Sequence, residues 1–247
     1  MCHLCDQAPP SSQPTRRNFL ATATGVAAGL AFAPRAFAKD TKPPPKPQNV
    51  ISPDEALERL MKGNGRYVDG VSRRHDFKHE REALAGGQNP YASILSCADS
   101  RIAPEYAFDS GRGDLFVCRV AGNFANDDTV ASLEYSVAVL NSPLILVLGH
   151  ESCGAVDATI KSLKDNTTLP GHLPSLVAAL APAVKAVADQ PGDKLVNATR
   201  RNVLDTIAKL KAATPILSAA VDNKKLKIVG GVYKLADGKV EMVANAS

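Results

Sequence analysis

The chain has 247 residues and a mass of 26.0 kDa, which is enough for one large domain or two small ones. Hydrophobic residues make up 45% and charged residues 22%, values that exclude a wholly disordered or fibrous chain. A net charge of +4 spread along the chain argues against a dedicated nucleic-acid binder, and five cysteines are too few for a disulfide scaffold.

The first segment of the chain, residues 1–38, has the features of an export signal. Arg16 and Arg17 precede an uncharged apolar run, and the segment closes on Ala-Phe-Ala, a small-x-small cleavage pattern. The twin arginines indicate the bacterial Tat route, so the mature protein is predicted to be periplasmic or otherwise exported, without stable membrane association after cleavage. An uncleaved anchor is the alternative, although the run is short and glycine-rich for a membrane span. The pair Cys2 and Cys5 lies in this segment and is assigned no role.

A proline-rich linker, residues 39–51, is predicted to separate the signal from a single domain over residues 52–247. The domain opens with Ser52 as a helix N-cap, a proline at the first helical position and a glutamate that completes a capping box. This helix is predicted to run to about Tyr67 and to form an N-terminal helical arm with a second, charged helix over residues 72–85.

Short apolar runs alternate with helical patterns through the rest of the chain. The alternation predicts an α/β fold with a mostly parallel central sheet of about four strands, flanked by helices. An Asp-Gly turn before the last run predicts one more strand, antiparallel at the edge of the sheet. The strands are predicted at residues 92–97, 115–120, 144–148, 226–233 and 239–243, and the helices between them at residues 129–140, 153–163, 173–187 and 197–210.

Two motifs rich in potential metal ligands stand where predicted strands end, which is where open α/β sheets carry their sites. The first reads Cys-x-Asp-x-Arg from Cys97, and the second reads His-x-x-Cys-Gly from His150 to Gly154. Two thiolates and one imidazole suit zinc, and three protein ligands leave one tetrahedral position open, as in catalytic zinc sites. Cys97, His150 and Cys153 are therefore the predicted ligands of one zinc ion.

The carboxylate of Asp99 is the predicted catalytic group beside the metal. In an extended segment, residues two apart point to the same side, so Asp99 can reach the ion that Cys97 binds. Arg101 can clamp this carboxylate with a bidentate pair, so that Asp99 orients the hydroxide that zinc generates near neutral pH. If Asp99 instead binds as a fourth ligand, the site is closed and the zinc is structural.

The two motifs together resemble those of the β-class carbonic anhydrases, and flanking segments match in the same order from residue 52 to residue 243. The resemblance implies zinc-dependent, reversible hydration of carbon dioxide to bicarbonate and a proton, with one zinc ion per subunit and the Asp99–Arg101 pair as catalytic dyad. It also implies a homodimer or homotetramer in which N-terminal helices embrace the neighbouring subunit. Some members have a closed form, in which the residue matching Asp99 becomes the fourth zinc ligand.

Three other functions fit the same residues. A hydrolase of carbonyl sulfide or carbon disulfide would use the same zinc hydroxide, and a non-catalytic zinc-binding protein would need only the ligands. A thiol redox protein would use Cys97 and Cys153 without metal. The Asp99–Arg101 pair argues against metal storage, and the neighbouring motif residues favour metal over redox chemistry.

Four residues outside the motifs are also weighed. Cys118 is interpreted as a small buried hydrophobe on the second strand. His75, His79 and His172 are candidate proton shuttles, although the simpler interpretation is a solvated helix face for the first two and an exposed loop for His172.

Overall fold

A computed structural model describes residues 51–243 of the chain. The predicted signal peptide and nearly all of the predicted linker lie outside these residues. The helices are α1 (Pro53–Val68), α2 (Phe77–Leu84), α3 (Pro104–Ala107), α4 (Asp127–Ala138), α5 (Gly154–Lys164), α6 (Leu173–Ala186), α7 (Lys194–Lys211) and α8 (Ile216–Asp222). The strands are β1 (Ala92–Ser96), β2 (Leu115–Arg119), β3 (Leu144–His150), β4 (Lys227–Tyr233) and β5 (Val240–Val243). Among these helices, none combines the length and the apolar character that crossing a bilayer requires.

The strands form one sheet in the order β2-β1-β3-β4-β5. The first four strands pair in parallel, and β5 pairs antiparallel with β4 through the predicted hairpin, whose Gly238 has φ +75°. Every residue of β1 and β3 is buried, as expected for parallel strands covered on both faces. The predicted α/β fold, with a mostly parallel sheet and an antiparallel edge strand flanked by helices, is confirmed.

The helix α1 packs against the sheet of its own chain. The Ser52 hydroxyl accepts the N–H of Glu55, and the Glu55 carboxylate accepts the N–H of Ser52, so the predicted capping box is present. Ala56 and Leu60, one helical turn apart, are fully buried in the core cluster beneath the sheet. This burial fixes the helical arm onto the domain.

The helix α7 covers the other face of the sheet at very short range. A Cβ atom at Gly230 would lie 2.5 Å from the side chain of Val203 and 2.6 Å from that of Ile207, and one at Gly149 would lie 2.7 Å from Val203. Real Cβ atoms do not approach so closely, so α7 can sit at this depth only over glycine.

The observed helices differ from the predicted ones mainly at their ends, where capping side chains decide the start. The helix α2 begins at Phe77 rather than at residue 72, because Asp76 caps it by accepting the N–H of His79. The helix α7 begins three residues before the predicted start, with Asp193 as the N-cap accepting the N–H of Val196. The short helices α3 and α8 were not predicted, because neither is long enough to establish a helical period.

Candidate metal centre

Three buried side chains converge at the carboxyl ends of β1 and β3, which are neighbours in the sheet. Cys97 directly follows β1, His150 ends β3, and Cys153 is the N-cap of α5. One ligand atom from each of the three lies within 4.8 Å of the others, and none of the three residues is more than 4% exposed. The sheet thus brings together the two motifs that the sequence separates.

The orientation of the His150 ring is fixed by one hydrogen bond. Its Nδ1 lies 2.8 Å from the carbonyl oxygen of Glu151, and since a carbonyl can only accept, Nδ1 carries the proton. The Nε2 atom is buried and has no hydrogen-bond partner among the described residues. A buried lone pair without a donor is energetically costly, and a cation bound by Nε2 would relieve that cost.

Neither Cys97 nor Cys153 forms a disulfide, and their pKa values shift in opposite directions. The pKa of Cys97 lies well below the usual range, first because the Cys153 thiol donates a hydrogen bond to it, and also because the N–H of Gly122 lies 3.3 Å from its sulfur. The pKa of Cys153 is raised by sharing that proton with Cys97 and by burial. Cys97 is therefore the sulfur that ionises more readily to the thiolate, the form in which cysteine binds metal.

The carboxylate of Asp99 faces this cluster and is held by Arg101. The guanidinium donates from Nε to Oδ1 at 2.9 Å and from Nη2 to Oδ2 at 2.7 Å, and the Arg101 N–H donates to Oδ1 at 3.0 Å. These contacts, the side-chain hydrogen bonds above all, keep the pKa of Asp99 well below its usual range. The Oδ2 atom lies 3.9 Å from His150 Nε2, so an ionised carboxylate adjoins the unpartnered nitrogen.

Arg119, a residue outside the two motifs, supports the loop that carries Cys97 and Asp99. It ends β2, beside β1, and donates from Nε to the Cys97 carbonyl at 2.9 Å and from Nη2 to the Asp99 carbonyl at 2.6 Å. An arginine at the end of the second strand was visible in the sequence. Its reach to this loop depends on β2 and β1 being neighbours, which the sequence did not specify.

The other candidates lie outside the cluster. His75 pairs with Glu80 at 3.3 Å, and His79 pairs with Asp76 at 2.6 Å. Cys118 is partly buried on β2 and packs against the core, and burial raises the pKa of its thiol. This agrees with its interpretation as a small hydrophobe.

The residues present fit a divalent metal ion. Two sulfurs and one unpartnered imidazole nitrogen form the one group of three potential ligands that lie close together in the described part of the chain. The set matches the ligand preference of zinc, and the apolar residues around Cys97 and Cys153 lower the local dielectric.

Comparisons with known proteins agree on one family. A family model described as carbonic anhydrase matches residues 92–240. Carbonic anhydrase 2 of Mycobacterium tuberculosis is 40% identical over 189 residues, which cover 76% of this chain and 91% of that protein.

Solved structures give the same result. The β-carbonic anhydrase CcaA is 27% identical with a TM-score of 0.58, and the match covers 76% of this chain and 98% of that one. Tetrameric β-carbonic anhydrases of Sordaria macrospora share the fold, with a TM-score of 0.62 at 23% identity over 77% of this chain and 98% of that one.

Proposed function

The chain belongs to the β-class carbonic anhydrase family and is a carbonic anhydrase, and from this premise we propose that Cys97, His150 and Cys153 hold zinc as its cofactor. The reaction is the reversible hydration of carbon dioxide to bicarbonate and a proton, with one zinc ion per subunit. When bound, zinc would supply a Lewis acid able to lower the pKa of water to about 7. The observation that carries the proposal is the buried, unpartnered Nε2 of His150, on a ring that lies beside two cysteine sulfurs.

In this proposal Asp99 and Arg101 act as an orienting pair. The Asp99 carboxylate is ionised, so it accepts a hydrogen bond from a solvent molecule that enters beside His150. The guanidinium of Arg101 donates one hydrogen bond to each carboxylate oxygen of Asp99. This bidentate contact fixes the plane of the carboxylate and opposes its movement towards the ligand cluster. A rotation of Asp99 away from Arg101 would give the closed form, in which Asp99 is a fourth ligand.

Variants of the ligands and of the pair test this assignment. Cys97→Ser and His150→Ala are expected to abolish zinc binding, measured as metal content of the purified protein. Asp99→Asn is expected to retain zinc but to lower carbon dioxide hydration by about a hundredfold or more in stopped flow, because its amide cannot act as a charged acceptor.

Controls make the result specific. Asp157→Asn removes a surface carboxylate on α5 and should leave hydration unchanged. Full hydration activity in Asp99→Asn would show that the dyad is wrongly assigned. Faster turnover of carbonyl sulfide or carbon disulfide than of carbon dioxide would contradict the proposal that carbon dioxide is the substrate.

We further propose that the protein is an exported oligomer. Export is supported by the twin-arginine segment before residue 38. Association of two or four chains is supported by tetrameric proteins that share the fold, and by large exposed apolar side chains such as Tyr106 (75% exposed) and Val139 (57% exposed).

A further inference from the structure

We propose that Lys234 and Glu151 form a positioning clasp that sets how tightly the Cys97–His150–Cys153 centre binds metal. The inference rests on the proposed function, because it assumes that these three residues hold the ion. Neither residue is a ligand. Both act through the two-residue turn, Glu151 and Ser152, that links β3 to α5.

The turn is tied to the end of β4 at three points, all through Glu151. Its N–H donates to the Tyr233 carbonyl at 3.0 Å. Its carboxylate accepts from Lys234 Nζ at 2.7 Å and from the N–H of Leu235 at 3.2 Å. One residue is thereby fixed by main-chain and side-chain contacts to the neighbouring strand, so its own carbonyl has little freedom to rotate.

Two successive carbonyls of this turn contact a predicted metal ligand and the dyad beside it. The Glu151 carbonyl accepts the Nδ1–H of His150 at 2.8 Å, and the Ser152 carbonyl accepts from Arg101 Nη2 at 3.2 Å. A hydrogen bond to Nδ1 selects the tautomer and the ring orientation that present Nε2 to a metal. A shift of the turn would therefore disturb a metal ligand and the dyad together.

The turn contains one residue in an unfavourable backbone conformation. Ser152 has φ +52°, in the left-handed region that residues other than glycine seldom occupy. Such a conformation persists only where surrounding contacts hold it. The bond from Lys234 to Glu151 is the ion pair among those contacts, and Lys234 also lies 3.5 Å from Glu241 on β5.

A positioning role can be separated from a simple effect of nearby charge. If charge alone mattered, Lys234→Met would remove a cation and tighten binding of a metal cation, whereas Glu151→Gln would remove an anion and weaken it. A positioning clasp predicts that both substitutions weaken metal binding. It also predicts that the double variant is about as weak as either single variant, because the pair acts as one unit.

The matched control is Lys227→Met. Lys227 begins β4, the strand that Lys234 directly follows, and it is also paired with an acid, Asp54, at 2.5 Å, but it lies at the end of the strand away from the centre. The conservative variant Lys234→Arg keeps a cation within reach of Glu151 and should restore most of the affinity.

The experiment uses the full mature chain and measures zinc affinity by competition with a chromophoric chelator, together with the visible absorption spectrum of the cobalt(II)-substituted protein. Lys234→Met and Glu151→Gln are each expected to weaken zinc binding by about tenfold and to alter the cobalt spectrum, whereas Lys227→Met stays within about twofold of the parent chain.

The outcomes are distinct. Changes of opposite sign in Lys234→Met and Glu151→Gln, or affinities equal to that of Lys227→Met, would overturn the clasp. A Lys234→Arg variant as weak as Lys234→Met would overturn it too. Thermal unfolding of the metal-free variants identifies any loss that follows from a less stable fold, and a weakened variant whose metal-free form unfolds as the parent does supports the clasp. A parent chain that binds no zinc would refute the proposed function instead.

Discussion

At the scale of single residues, the Asp99–Arg101 pair controls the charge beside the centre. The hydrogen bonds from Arg101 hold the pKa of Asp99 below its ordinary value, so the carboxylate remains ionised throughout the neutral range. A group whose pKa is lower in the folded chain stabilises the fold above its unfolded pKa of about 3.9, and that contribution is lost as the pH falls through the folded pKa.

The lowered pKa of Asp99 predicts how the stability of the variant Arg101→Ala depends on pH. Without the guanidinium, the pKa of Asp99 should rise towards its ordinary value. The urea midpoint of the metal-free parent should exceed that of the variant by a constant amount above about pH 5, and the difference should shrink on acidification below about pH 4. A difference that grows on acidification would contradict the direction of the pKa shift. Lys161, which pairs with Asp157 on the surface, gives a matched cation control as Lys161→Ala.

Sequence reasoning identified the residues with unusual chemistry and the Arg101 clamp, but not Arg119 or the Lys234–Glu151 pair, which support the surrounding loops. Cys97, His150 and Cys153 are identifiable because few other roles explain such residue types at strand ends. Glu151 and Lys234 are 83 residues apart in the chain, and an ordinary ion pair has no sequence signature. Their relation follows from the pairing of His150 with Tyr233 across β3 and β4, which only the three-dimensional register provides.

At the scale of elements, Asn64 joins α1 to the rest of the domain. Its Nδ2 donates to the carbonyls of Ala107 and Gly238, and its Oδ1 accepts the N–H of Val240, each at 2.9 Å. The side chain is 3% exposed, so water cannot replace these bonds. One amide thus satisfies three main-chain groups in α3 and in the β4–β5 hairpin.

Asn64→Ala is therefore expected to lower the free energy of unfolding by about 2 to 4 kcal/mol, because three buried polar groups lose their partner. Urea denaturation of the metal-free protein measures the change. Its neighbour Gly65 provides a control of opposite sign: a Cβ there meets nothing within 4 Å, so Gly65→Ala should stabilise the helix by about 0.5 to 1 kcal/mol. Equal effects of the two substitutions would show that Asn64 contributes only helix propensity.

The elements themselves were largely predictable, but their arrangement was not. Buried strands such as β3 are continuous apolar runs, and the Asp-Gly pair marks the β4–β5 hairpin, so local patterns suffice. The order β2-β1-β3-β4-β5 depends on contacts between distant segments. The close packing of α7 over Gly149 and Gly230 also has no local signature, because glycine in a strand predicts a bulge as readily as a close approach.

At the scale of the whole molecule, association is a direct expectation of the proposed function. Sedimentation equilibrium of the chain from residue 39 onwards should give two or four times the subunit mass. The mass should stay constant across dilution to the lower limit of detection if the assembly is obligate. A single-chain mass at all concentrations, in a sample with full hydration activity, would contradict the oligomer.

Export can be tested without altering the folded domain. Replacing Arg16 and Arg17 together by lysine preserves the charge of the leader but removes the twin-arginine feature. The variant is expected to remain in the cytoplasm of a bacterial host as a full-length, active enzyme, whereas the parent is recovered from the periplasm in a shortened form. Equal distribution of the two proteins between the fractions would contradict the Tat assignment.

The central placement of β1 and β3 has a consequence for how this chain can associate with other chains. Each of these two strands has a neighbour on both sides, and the predicted metal ligands lie at their carboxyl ends. The strands β2 and β5 form the two edges of the sheet in the described part of the chain. A second chain that paired along either edge of the sheet would therefore leave the inner strands, and the predicted ligands at their ends, in place.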